Sequence, residues 1–164
     1  MNSRTGFWRE LRKHARPDWQ PQTTTVIPDF KPSARSYLDG ATRYVEAAGI
    51  LCDTARSVDP IGLVASHGVE LGLKAYLLHC GMTERELRDI GQDLAELWMR
   101  ARVKGLEIEY GPPYWVRVLS VAHGRPHLLY RYPPERVASA IPDPQELKRA
   151  LSDFLHRVSL AIAG

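Results

Sequence analysis

The chain has 164 residues, of which 44% are hydrophobic, so it is long enough for one domain with a substantial core. Charged residues interrupt its apolar runs before the length of about 18 residues that a bilayer span requires, and no apolar signal peptide is recognisable, so we expect a cytoplasmic protein. The net charge of +3 is concentrated in residues 1–35, which contain seven Lys or Arg and three Asp or Glu, whereas the remainder contains fifteen and sixteen.

Residues 1–32 are predicted to form a basic, Pro-rich N-terminal arm, and residues 33–164 a helical domain. Four prolines prevent a continuous helix in the second half of the arm. We expect its apolar side chains, Phe7, Trp8 and Leu11 among them, to pack on the helical domain or on a second subunit. Stacking on nucleic-acid bases and contact with a membrane surface are the alternatives.

The helical domain is predicted to contain four main helices. The first has apolar or small residues at alternating spacings of four and three, and the second is apolar in nearly every direction, which is typical of a buried, central helix. Asp59 is the predicted N-cap of the second helix and Pro60 its first residue. Gly68 and Gly72, four residues apart, should let a neighbouring helix approach closely. The predicted ranges are Ser33–Arg56, Ile61–Leu78, Asp93–Lys104 and Pro144–Ala163.

Short accessory helices are predicted between these elements. Thr83 and Glu86 have the spacing of a capping box, and Pro113 opens a second short helix. Asp93 and Asp143 are predicted N-caps of the third and fourth main helices. The two cysteines, Cys52 and Cys80, belong to predicted helical regions and not to a loop framework, so we expect reduced, buried thiols, with a disulfide as the alternative. Together the elements predict an all-α fold, an up-and-down bundle of four main helices with short accessory helices.

Three features of the central region are similar to the HEPN (higher eukaryotes and prokaryotes nucleotide-binding) superfamily. They are the run ELGLKAYL at residues 70–77, the turn at Gly81, and the sequence GQDL at residues 91–94 that opens the next helix. The resemblance covers the chain after about Pro32, with Gln92 standing where many relatives have His. It implies a homodimer that binds RNA or a nucleotide, or an antitoxin or nucleotidyltransferase partner, in a bacterial conflict or toxin–antitoxin setting.

The ribonucleases that this family contains use an Arg followed four to six residues later by a His. Arg117 and His123 have five residues between them, and a bend at Gly124 would bring them together although they point about 120° apart on one helix. The resemblance implies that His123 acts on the ribose 2′-hydroxyl while Arg117 stabilises the phosphate. We expect a solvent-facing His123 in that case. Arg149 and His156 also have a permissive spacing, but they should lie on a solvated face.

A second candidate site is the polar stripe of the central helix, formed by His67, Glu70 and Lys74. Burying these groups without partners would be costly. Glu70 could pair with Lys74 or with Arg131 in an internal network. Alternatively, the stripe could line a ligand pocket in which Lys74 and Arg131 contact phosphate or carboxylate and aromatic side chains stack on a base. The candidate aromatic residues are Tyr130 and Tyr132.

Other chemistry has little support in the sequence. Asp93 is first a helix cap, with membership of a ligand site as its alternative interpretation. There is no Gly-rich phosphate loop, no paired Cys set and no His-Glu-x-x-His helix, so no metal or cofactor is predicted.

Three functions therefore remain as hypotheses. The first is a HEPN-like module, non-catalytic or weakly active, that binds nucleotide, RNA or a protein partner. The second is a HEPN ribonuclease that uses Arg117 and His123. The third is a purely structural interaction domain, which burial of Glu70 and Lys74 in the core would favour.

Overall fold

A computed structural model describes residues 32–55, 57–124 and 140–164 of the chain. The part so described is all-α, as the sequence predicts, and contains six helices and no strand. Predictions about the N-terminal arm and about the segment 125–139 concern residues outside these ranges. The helices are α1 (Ala34–Thr54), α2 (Val58–His79), α3 (Glu84–Ile90), α4 (Leu94–Val103), α5 (Tyr114–His123) and α6 (Pro144–Ala163).

Local side-chain chemistry explains where most of these helices begin. Thr83 and Glu86 form the predicted capping box of α3, and Asp143 accepts hydrogen bonds from two backbone amides at the start of α6. The predicted start of α2 is wrong, because its N-cap is Ser57 and Asp59 lies inside the first turn. A proline is tolerated throughout a first turn, whose amides lack intrahelical acceptors, so Pro60 does not fix the first residue.

Helix α2 is the centre of the described structure. It packs against α1, α4, α5 and α6, and its apolar residues Ala65, Val69, Leu73 and Leu77 are completely buried. By length and composition α2 could cross a membrane, contrary to the expectation from the sequence, but 67% of its most apolar stretch is buried among the other residues. Such burial is what the core helix of a globular domain requires.

Glycines on α2 allow close approach of neighbouring helices, as predicted, but the two glycines meet different helices and not a single one. A Cβ atom at Gly68 would lie 3.1 Å from Val45 Cγ2 of α1, and one at Gly72 would lie 2.8 Å from Phe154 Cε1 of α6. Both spaces are therefore filled by the neighbouring side chains. The sequence spacing of four residues is enough to predict this contact surface because residues four apart share one face of a helix.

An aromatic cluster joins α4, α5 and α6. Trp98 stacks on Phe154 with ring centroids 5.8 Å apart and meets Trp115 edge-on at 5.7 Å. The Trp98 indole also donates a hydrogen bond to the Glu109 carbonyl oxygen at 3.1 Å. These contacts hold α5 against the core, which brings the last residue of α5 to the side of α2.

The two cysteines are free, as predicted, but half-buried rather than fully buried. Cys52 lies on α1, where burial is the main reason that its thiol pKa is raised. Cys80 lies at the end of α2, one residue beyond the helix.

Candidate functional site: a buried polar cluster

The polar residues of α2 and the last residue of α5 form one buried cluster. Glu70 is at its centre, with Oε2 2.8 Å from His123 Nε2 and Oε1 2.6 Å from Lys74 Nζ. The other ring nitrogen of His123, Nδ1, lies 3.0 Å from Ser66 Oγ. Both ring nitrogens of His123 are thus hydrogen-bonded, and its side chain is completely buried.

Helical periodicity places the α2 members of this cluster on one side of the helix. Ser66, Glu70 and Lys74 follow each other at intervals of four residues, so they form one row along α2. Ser66 and Glu70 of this row contact His123 of α5. On α5, the inward positions Val116 and Leu119 are fully buried, and His123 continues that row at a spacing of four. The cluster is therefore a contact between the polar row of α2 and the end of the apolar row of α5.

The charge of Glu70 is stabilised within the cluster. Burial by itself would raise its pKa, but hydrogen bonds from His123 and Lys74, the contact with His67 and the charge of Lys74 together outweigh burial. They hold the pKa of Glu70 well below its usual range, so the carboxylate is ionised at neutral pH. Because the Lys74 side chain is only 11% exposed, this ion pair is largely shielded from solvent.

His67 lies at the border between the cluster and solvent. Its side chain is 30% exposed, and Nδ1 lies 3.5 Å from Glu70 Oε2. The ring meets Tyr44 of α1 edge-on, with centroids 4.5 Å apart. The Nδ1 atom itself is buried and has no hydrogen-bond partner in the described structure, which is uncommon for a buried polar atom.

Comparison of the chain with protein-family models, with curated proteins and with solved structures gives no match.

The structure separates the two members of the predicted catalytic pair. Arg117 is exposed on α5, whereas His123 is 2% exposed and its hydrogen bonds go to Ser66 and Glu70. The expectation of a solvent-facing His123 is therefore wrong. The apolar inward row of α5 carries the imidazole into the core, and the rotation of about 120° between the two positions leaves Arg117 outside.

The remaining candidate residues that the structure describes are exposed. Asp93 is exposed and accepts hydrogen bonds from the backbone amides of Ala95 and Glu96, both at 3.0 Å, so it caps α4 as predicted. Arg149 and His156 are both exposed on α6, as expected for a solvated pair. Three further candidates, Tyr130, Arg131 and Tyr132, lie outside the described residues.

The structure brings His67 and Lys74 into contact with Glu70, as the helical period predicts. Two further members of the cluster, Ser66 and His123, are not predicted from the sequence pattern of α2. A signal for His123 exists in the sequence, since Val116, Leu119 and His123 follow the spacing of three and four that marks a core-facing row. A His at such a position must find hydrogen-bond partners inside the protein.

The cluster contains the residue types of a hydrolytic triad, but its geometry does not suit nucleophilic catalysis. Ser66 is fully buried, and its hydroxyl donates to the Gly62 carbonyl oxygen at 2.6 Å. A nucleophile must reach its substrate and transfer its proton to the base, and this hydroxyl does neither. The cluster does contain potential metal ligands, because His67, Glu70 and His123 each offer a ligand atom and these atoms lie within 4.8 Å of one another.

Proposed function

We propose that this chain is a non-catalytic, HEPN-like helical module that acts by binding a partner, in the cytoplasm and in a bacterial conflict or toxin–antitoxin setting. The observation that carries the proposal is the position of His123. A ribonuclease needs an imidazole that reaches the ribose 2′-hydroxyl, and here both ring nitrogens bond within the core. The family resemblance supplies the biological setting, and the burial of the Glu70 and Lys74 side chains favours a structural role for the polar stripe within this module.

The finer arrangement of helices forms part of this proposal. We expect α1, α2, α4 and α6 to form an up-and-down bundle. The connection between α1 and α2 spans only residues 55–57, and such short connections join antiparallel neighbours. The packing of α6 against both α1 and α2 is consistent with that topology.

The proposed partner is a second copy of the chain, which docks on the outer face of α5, defined by Tyr114, Arg117 and Val121. Tyr114 is 68% exposed and Val121 63%, and Arg117 lies between them on the same side of the helix. Tyr and Arg are enriched in the buried centres of protein interfaces. A second candidate is RNA binding at this face, which an exposed aromatic ring beside a guanidinium group favours.

Incubation of the purified chain with single-stranded and transfer RNA tests the absence of catalysis. We expect no cleavage. Arg117→Ala serves as the diagnostic variant, because an exposed side chain can be removed without disturbing the fold. Cleavage by the wild type that this variant loses would establish the ribonuclease instead.

His123→Ala separates the structural role of His123 from a catalytic one. We expect it to destabilise the fold by about 2–4 kcal/mol, because it leaves a cavity and removes a hydrogen-bond partner from Glu70. Denaturant unfolding measures this loss. An unchanged stability would mean that His123 does not hold α5 to α2.

Light scattering over a range of protein concentrations tests the dimer. We expect the wild type to be dimeric and Val121→Glu to be monomeric, because the substitution places a charge in an apolar contact. Val103→Glu is the matched control, since Val103 is 82% exposed on α4 and should leave the dimer intact. A monomeric wild type would contradict the proposal. RNA binding by monomers, lost in Arg117→Ala, would favour the second candidate.

A further inference from the structure

The cluster around Glu70 contains ligand atoms beyond those of the Glu70–Lys74 ion pair. His67 and Glu70 are three residues apart on α2, and His123 approaches from α5, so that one ligand atom from each residue lies within 4.8 Å of the others. Two imidazoles and one carboxylate are a ligand set of protein zinc sites that keep a further position open.

The distances around Glu70 Oε2 are close to those of a coordination sphere. This oxygen lies 2.8 Å from His123 Nε2 and 3.5 Å from His67 Nδ1. Ligand atoms at about 2.0–2.1 Å from a tetrahedral zinc ion are about 3.4 Å apart. Binding would therefore require a shift of well under 1 Å between Glu70 Oε2 and either nitrogen, which side-chain rotation can supply.

Contacts with Ser66 and Lys74 orient two of the three ligands, His123 and Glu70. Metal binding would displace the proton that His123 Nε2 donates to Glu70, and the remaining ring proton would then lie on Nδ1. The Ser66 hydroxyl donates to the Gly62 carbonyl oxygen at 2.6 Å, so its oxygen is free to accept a hydrogen bond from His123 Nδ1–H at 3.0 Å. That contact directs Nε2 towards Glu70. Lys74 holds Oε1 of the same carboxylate at 2.6 Å, which leaves Oε2 for the ion. Ligating imidazoles and carboxylates are commonly held by such partners.

His67 provides an independent observation. Its Nδ1 atom is buried, and its contact with Glu70 Oε2, at 3.5 Å, is too poor to count as a hydrogen bond. A buried polar atom without a good hydrogen bond destabilises the fold, and a bound cation would remove that cost. The partial exposure of the same ring, 30%, gives an ion and a water ligand access from solvent.

We propose that His67, Glu70 and His123 form a binding site for one divalent transition-metal ion of the zinc class. Lys74 remains paired with the second carboxylate oxygen, and its charge makes binding weaker than at a site without a neighbouring cation. Mg²⁺ and Ca²⁺ should not compete, because both prefer oxygen ligands to imidazole. This inference is independent of the proposed partner binding, since the outer face of α5 contributes no ligand.

Calorimetric titration of the chelator-treated full chain with Zn²⁺ tests the site. We expect one Zn²⁺ ion to bind per chain and to raise the melting temperature of the protein. Excess Mg²⁺ should leave Zn²⁺ binding unchanged. Co²⁺ provides a second probe, because its visible spectrum should show tetrahedral or five-coordinate nitrogen and oxygen ligation without thiolate bands. Such a spectrum separates this site from Cys52 and Cys80.

The decisive variant is His67→Ala, because His67 is the most exposed of the three ligands and its removal should leave the metal-free fold intact. We expect Zn²⁺ affinity to fall by at least about tenfold, as for other losses around metal sites. His156→Ala removes an exposed His outside the cluster and should bind like the wild type. The proposal is overturned if the wild type does not bind Zn²⁺, if His67→Ala binds equally well, or if His156→Ala loses the same affinity.

Discussion

Removal of the Glu70 carboxylate is the most informative perturbation of the fold. In Glu70→Ala, Lys74 and His123 lose their shared partner in a region where their side chains are 11% and 0% exposed. Loss of one member of a buried ion pair costs about 3–5 kcal/mol, because the other charge stays desolvated. At about 2–4 °C per kcal/mol for a chain of this size, the melting temperature should fall by about 6–20 °C.

The chain offers a matched control for this experiment. Glu96 and Arg100 form an ion pair with the same spacing and the same distance, 2.6 Å, but their side chains are 46% and 49% exposed. Exposed pairs of this kind contribute about 0.3–0.5 kcal/mol, so Glu96→Ala should be nearly neutral. Urea unfolding of both variants measures the difference. If the two free energies of unfolding differ by less than about 1 kcal/mol, burial does not determine the strength of the Glu70 contact and the reasoning is refuted.

Three further predictions concern packing, capping and pH. Gly72→Ala should destabilise by about 1–3 kcal/mol in urea unfolding, because the new Cβ meets Phe154 at 2.8 Å, whereas Gly111→Ala, with open space around it, should not. Asp93→Ala should cost about 1 kcal/mol by the same measurement and leave Zn²⁺ binding unchanged, since it removes only a helix cap. The pKa of Glu70 is lower in the folded state than in the unfolded state, where it is about 4.3. Its ionised carboxylate therefore stabilises the fold above about pH 4.3, and this contribution is lost as the pH falls from there towards the folded-state pKa. The difference in urea midpoint between wild type and Glu70→Gln should therefore shrink from about pH 7 to about pH 3.

The sequence predicts best those features that depend on one helix alone. The stripe of His67, Glu70 and Lys74 follows from the helical period, and so do the contact surface at Gly68 and Gly72 and the capping box at Thr83. Each requires only that a segment be helical, after which the angle between residues is fixed. The start of α2 could not be fixed in this way, because several residues before Ile61 are compatible with a first helical turn.

The position of His123 depends on a contact between helices, which local patterns do not specify. Its distance from Glu70 in the sequence is 53 residues, and the family resemblance predicts a pairing with Arg117 instead. That interpretation required an imidazole facing solvent. The inward row of α5 points the other way, and its period predicts the orientation of His123 better, because Val116 and Leu119 on the same side of the helix are buried.

The rotation of α5 connects the buried cluster with the surface that we propose for partner binding. Apolar contacts alone specify rotation weakly, since one apolar side chain can replace another at modest cost. The contact between His123 and Glu70 is different, because a turn of α5 by one residue, about 100°, would leave a buried carboxylate without this partner. The cluster therefore selects one rotation of α5, and that rotation places Tyr114, Arg117 and Val121 outward together. In this way Glu70, which lies in the core, determines which side chains the proposed second copy of the chain would meet.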